Sequence, residues 1–146
     1  MAKGITNRNR AEVYLKRIRD NDRMLKLQRD ELDALRYKAS GAGAIRYDKD
    51  HVQTSPQDFL SMAMDDIIRI EKEIGDKETY IEEMKGEAYA IVRMLSKPEH
   101  RTIIDWYYLN GQTMVDTAEK MHMAERTAYN IREDALESFG ELLSNF

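Results

Sequence analysis

The sequence predicts an all-α protein: a long antiparallel helical hairpin of coiled-coil character, followed by a small C-terminal helix-turn-helix domain. Three observations predict it. Charged residues make up 34% of the 146 positions and only two are proline, a composition suited to long solvated helices. From Leu60 to Leu95 apolar residues recur at steps of three and four. From Thr113 to Leu136 the spacing is that of a short helix, a tight turn and a second helix. Pro98 breaks the chain between residues 1–97, the hairpin, and residues 98–146, the second domain.

Residues 1–7 read as a frayed tail, and the first helix runs from about Asn9 to Lys38. Tyr14, Ile18, Leu25, Leu32 and Leu35 fall near one face, supported by Leu15 and Leu27. The other faces carry Arg8, Arg10, Lys16, Arg17, Arg19, Arg23, Lys26 and Arg29. The plain reading of that run is a solvated surface; the functional one is a strip for phosphates or a partner, interrupted by Asp20, Asp22 and Asp30.

Residues 39–55 form a linker in which Gly41 and Gly43 end the helix. Ile45, Tyr47 and Val52 give the loop an apolar edge for docking. Asp48, Asp50 and His51 alternate as cation ligands do, but no second cluster accompanies them, so no metal is expected.

The second helix, residues 56–96, has a marked start. Ser55 suits the N-cap, Pro56 the first helical position, and Asp58 complements the helix dipole. Its seam is Leu60, Ala63, Ile67, Ile70, Ile74, Lys77, Ile81, Met84, Ala88, Ile91 and Leu95, with Lys77 the single polar position and Gly75 and Gly86 off the stripe. A helix with that stripe needs a partner. Residues 1–50 carry 13 basic against 8 acidic side chains and residues 51–100 carry 6 against 11, so the first helix is a complementary antiparallel neighbour. The second helix outruns it, leaving the stretch from Ile81 to Leu95 for the C-terminal domain or a second copy. A homodimer is therefore expected, with Ile67, Ile70, Ile74, Ile81, Met84, Ile91 and Leu95 as its oligomerisation residues.

A third helix, Glu99 to Leu109, presents Ile103, Ile104, Trp106, Tyr107, Tyr108 and Leu109, read as the core of a small domain rather than a base-stacking platform. Asn110-Gly111 marks a turn. Thr113 with Asp116 three residues on is a capping-box variant, and Ala118 leaves room for a close helix crossing. His122 stands where the turn needs φ > 0 and Gly is usual; Ala124 is a poor cap for the helix starting near Glu125. Met121, Met123, Ala128, Ile131 and either Ala135 or Leu136 would face the core. Glu125, Arg126, Thr127, Tyr129, Asn130 and Glu133 would face outward as the DNA-contacting set. On the plain reading this is a helical hairpin that touches no DNA. Phe139, Leu142, Leu143 and Phe146 form an amphipathic tail.

Charge opposes the DNA reading. Residues 101–146 carry 4 basic against 8 acidic side chains, whereas a domain that grips phosphates by itself is usually basic. Weak autonomous binding is expected, helped by dimerisation, by the basic N-terminal segment or by a protein partner. The chain has no cysteine, which rules out disulfides and thiolate metal sites and fits a reducing cytoplasm. No apolar run suffices for a membrane span, no signal peptide stands at the start, and no cofactor motif is present. His51, His100 and His122 lie far apart and no Gly-rich phosphate loop occurs, so an enzyme is not expected.

The pattern Ile103/Ile104, Tyr108, Asn110-Gly111-Gln112-Thr113, Thr117-Ala118, Met121, Thr127 and Ala135-Leu136 resembles region 4 of bacterial sigma factors. The chain as a whole is similar to phage and prophage late transcription regulators of the ArpU/RinA-like group, a similarity shared by the stretch from Asp50 to Pro56. His122, Ala124 and Ala128 depart from the usual turn glycine, Ser/Thr cap and β-branched core residue. The resemblance implies a phage-encoded regulator that binds double-stranded DNA and contacts the host RNA polymerase in the bacterial cytoplasm. On the chemistry of base edges, Arg126 suits guanine, Asn130 adenine, and Glu125 or Glu133 cytosine; Thr127 and Tyr129 suit phosphates. The alternatives are a self-assembling helical adaptor that binds protein, and a DNA-packaging recognition subunit that forms a ring.

Overall fold

The structure is a computed structural model that describes residues 6–41 and 56–146. It is all-helical: α1 (Asn7–Ala39), α2 (Pro56–Val92), α3 (Pro98–Ile103), a π-helical segment (Ile104–Leu109), α4 (Met114–Lys120) and α5 (Glu125–Leu143), with no strand among the described residues. The expected linker features at Gly43, Ile45, Tyr47 and Val52, the Asp48/Asp50/His51 group and the Ser55 cap lie outside the described residues. Gly41 is inside them; it follows α1 at φ +91°, a conformation that favours glycine.

The chain packs as two compact units. One is Met24–Tyr80; the other takes the residues up to Arg23 together with Ile81–Phe146, so the C-terminal helices share a unit with parts of α1 and α2. In the first unit α1 and α2 run antiparallel, because Arg29 pairs with Glu78 at 3.1 Å while Arg36 pairs with Glu71 at 2.9 Å. These exposed ion pairs contribute about 0–1 kcal/mol each and serve mainly to fix register. Burial of Leu25 and Leu32 from α1 and of Ala63, Ile67, Ile70 and Ile74 from α2 supplies the stability. Leu27 does not join them and is 57% exposed. It lies roughly 200° around the helix from Leu25, at 100° per residue. Leu60, the first residue of the expected seam, is 45% exposed.

The second unit has one continuous core. Ala11, Leu15 and Ile18 of α1, with Met84, Ala88, Ile91 and Leu95 around α2, meet Ile103, Ile104, Leu109, Ala118, Leu136 and Phe139. Here too α1 and α2 are antiparallel. Lys85 pairs with Asp22 at 2.6 Å, and the Tyr14 hydroxyl donates to Glu87 at 3.1 Å. Burial, reinforced by that carboxylate, pushes the Tyr14 phenol up to about 12. Asp22 continues the α1 stripe of Ala11, Leu15, Ile18 and Leu25, so an acidic residue on the seam is neutralised across it.

The seven residues expected to join two copies, Ile67, Ile70, Ile74, Ile81, Met84, Ile91 and Leu95, are all buried within the single chain. Their apolar surface is already removed from water by intrachain packing. The α2 helix stops at Val92 rather than residue 96; Arg101 Nη1 then donates to the Leu95 carbonyl at 2.5 Å. The expected helix from Glu99 to Leu109 is two pieces. Its second half widens into a π-helix, in which Asn110 N–H donates to Asp105 O at 2.8 Å. The Asp105 carboxylate accepts from the Tyr89 hydroxyl at 2.8 Å and from Asn110 Nδ2 at 2.7 Å, fastening the segment at both ends.

Candidate nucleic-acid interface

The region from Thr113 to Leu143 is built from a capped helix, a tight turn and a longer helix. Thr113 is the N-cap of α4, its Oγ1 accepting from Asp116 N–H at 3.1 Å, as the spacing of the two residues requires. The helix ends in a Schellman motif. Met123 N–H donates to Ala118 O at 3.0 Å and His122 N–H to Glu119 O at 3.1 Å. Both bonds depend on His122 adopting φ +58°, so the turn does take the left-handed residue the sequence called for, with imidazole in place of glycine. Ala124 then takes extended backbone at the N-cap of α5 without a side-chain hydrogen bond, and Glu125 in the first turn complements the dipole.

The buried face of α5 is Ala128, Ala135, Leu136 and Phe139, with Ile131, Met121 and Met123 half-buried beside it. Thr117 and Ala118 of α4 are buried as well, and α5 packs against α3 and α4. One side of α5 is thereby fixed, and the opposite side of its first turns stands open. Glu125, Arg126, Thr127, Tyr129 and Asn130 are exposed. Glu133 is half-buried and engaged, pairing with Arg8 at 3.3 Å and with Arg132 at 3.5 Å. Among the described residues it is the one member of the outward set tied down by ion pairs, which leaves it poorly placed to accept from a base.

Sequence reading missed Arg132. Its guanidinium lies 5.0 Å from the Tyr129 ring centroid and 5.4 Å from that of Tyr107. Arg19, on α1, sits over Tyr107 at 4.1 Å and donates through Nη1 to Tyr107 O at 2.6 Å and Gln112 O at 3.1 Å. Nothing in the spacing of residues 19, 107 and 132 links them; only tertiary packing does. The basic run along α1 is thus mixed. Arg8, Arg10, Arg19 and Arg29 are intrachain tethers, to Glu133, Ser144, two carbonyls and Glu78. Lys16, Arg17, Arg23 and Lys26 are exposed and carry no ion pair among the described residues.

On the other side of the turn, Gln112, Asp116, Glu119, Lys120 and His122 line a shallow cleft. Two carboxylates against one ammonium give it the wrong sign for a phosphate. No helix among the described residues is long and apolar enough to cross a membrane, and no group of three metal-ligating side chains is assembled there. The chain matches no family model, no curated protein and no solved structure.

Proposed function

We propose that the chain is a DNA-binding regulator that reads base edges with the first turns of α5. The observation that carries this reading is the two-sidedness of α5. Ala128, Ala135, Leu136 and Phe139 anchor it, while Arg126, Thr127, Tyr129 and Asn130 are exposed beside a tight turn that His122 closes. The spacing of α4, turn and α5 is that of a helix-turn-helix, and the sigma-region-4 resemblance adds contact with a host polymerase and phage late-gene control to the proposal. Arg126 takes guanine and Asn130 adenine; Thr127 and Tyr129 take phosphates; Glu133 orients Arg132 and Arg8 rather than reading cytosine. Because the hairpin seam is filled within one chain, the single chain is the proposed binding unit.

The test is selection of binding sites from random duplexes, followed by titration. Wild type enriches a motif, and Arg126→Ala lowers affinity for it by about 1–3 kcal/mol and relaxes preference at one base position. Unchanged affinity and preference would remove Arg126 from the role; no enrichment by wild type at low salt would remove the reading.

One observation favours a protein-binding adaptor instead. Leu60, Met64 and Ile68 lie one turn apart on α2 and are 45%, 46% and 60% exposed, an apolar stripe on an acidic helix. That reading predicts no salt-dependent duplex binding.

A further inference from the structure

Beside the open face of α5, rather than on it, four cations gather. A cleft of about 220 Å³ lies where α1, the π-helical segment and α5 come together. Lys16, Arg19 and Arg23, one helical face of α1, line it with Arg132 of α5; Glu12 and Asp20 are its carboxylates. Four cations against two carboxylates leave it net positive, in a chain of net charge −4.

The cations divide into a fixed floor and two free arms. Arg19 is held by the carbonyls of Tyr107 and Gln112 and by the Tyr107 ring. Arg132 is flanked by Tyr107 and Tyr129, and its Nε is buried with no acceptor among the described residues. Its ion pair with Glu133 is long, at 3.5 Å, and Glu133 is shared with Arg8. Lys16 and Arg23 are exposed at the rim and unpaired among the described residues. Guanidinium donors held by aromatic faces, with exposed cations beside them, suit an oxyanion with several acceptor oxygens and more than one negative charge.

We propose that this cleft binds a phosphate group. The group can come from a nucleic-acid backbone or from a free phosphorylated small molecule. Only the first source rests on the DNA reading of α5; the cleft itself does not.

The experiment uses the full chain and two double variants. Lys16→Ala/Arg23→Ala removes the free arms, and both are exposed residues outside the core. Arg17→Ala/Lys26→Ala removes the same charge from exposed positions of α1 outside the cleft. Pyrophosphate at constant ionic strength is expected to raise the melting temperature of wild type and of the Arg17/Lys26 variant, but not of the Lys16/Arg23 variant. In the second arm, duplex affinity is measured against salt. A backbone phosphate in the cleft makes the slope of log K against log salt shallower by about 0.9 in the Lys16/Arg23 variant, the contribution of one lost phosphate contact. Loss of the pyrophosphate effect with an unchanged duplex slope assigns the cleft to a free phosphorylated ligand. The proposal is overturned if neither measurement separates the Lys16/Arg23 variant from the Arg17/Lys26 variant. Arg126→Ala, which changes base preference without touching the cleft, reports separately on α5.

Discussion

Gly140 of α5 lies directly against the backbone of Asn7, so closely that a Cβ there would run into the Asn7 carbonyl. The contact joins the start of α1 to the end of α5. Ser144 strengthens it, its Oγ donating to Asn7 Oδ1 at 3.3 Å and accepting from Arg10 Nη1 at 2.7 Å. In an exposed helix, Gly→Ala ordinarily stabilises by roughly 0.5–1 kcal/mol. At Gly140 steric conflict with backbone outweighs that gain, and Gly140→Ala is expected to destabilise by about 1–3 kcal/mol. Gly75→Ala and Gly86→Ala, where nothing lies within 4 Å, are expected to show the ordinary gain. Urea unfolding midpoints for the three variants check the opposite signs.

Ala124 has the extended backbone of an N-cap but no side chain to accept from α5. Ala124→Ser or Ala124→Asp supplies the acceptor and is expected to stabilise by about 1 kcal/mol. The gain should appear as a higher unfolding midpoint with an unchanged denaturant slope, since no additional surface is buried.

His122 carries the turn at φ +58°. Asn tolerates that region nearly as well, so His122→Asn should be close to neutral. His122→Val places a β-branched side chain there and is expected to lose about 1–2 kcal/mol, together with protection of the Met123 amide in hydrogen exchange. Equal stability of the two variants would show that the turn relaxes to another conformation.

Arg19 bridges two carbonyls and covers the Tyr107 ring. Arg19→Ala removes charge-assisted hydrogen bonds worth about 1.5–3 kcal/mol and strands two partly buried acceptors. Arg19→Lys is expected to recover little, because a single ammonium cannot reproduce the planar fork and the ring contact. Thermal unfolding of both variants measures the difference.

His100 is buried, and burial, followed by the nearby Lys97, lowers its pKa below the usual imidazole value; Asp134 and Glu99 oppose the shift. The folded state therefore prefers the neutral ring, and the unfolded chain takes up a proton first as pH falls. The resulting stability is full above about pH 6.5 and declines below it, by no more than about 1.4 kcal/mol per pH unit for one group. His100→Gln should flatten that part of the profile between pH 7 and 5, read as the difference from wild type in urea midpoints.

The sequence by itself determined the helices and most of their inward faces. Steps of three and four mark the stripe from Ala63 to Leu95, Thr113 and Asp116 mark a helix start, and the turn needed a residue that accepts positive φ at 122; all three depend on local periodicity or local backbone chemistry. Leu27 is exposed although it is apolar and next to the stripe, because two positions from Leu25 carry it to the far side of the helix. Tertiary structure decided the rest. It filled the hairpin seam within one chain, widened the helix after Ile103 into a π-turn, and tied Glu133 to Arg8. It also gathered Lys16, Arg19 and Arg23 with Arg132, residues more than a hundred positions apart in the chain, into one positive cleft. Charge and periodicity record what each segment can do locally, but which charges neutralise one another and which remain free depends on distances that only the packed core sets.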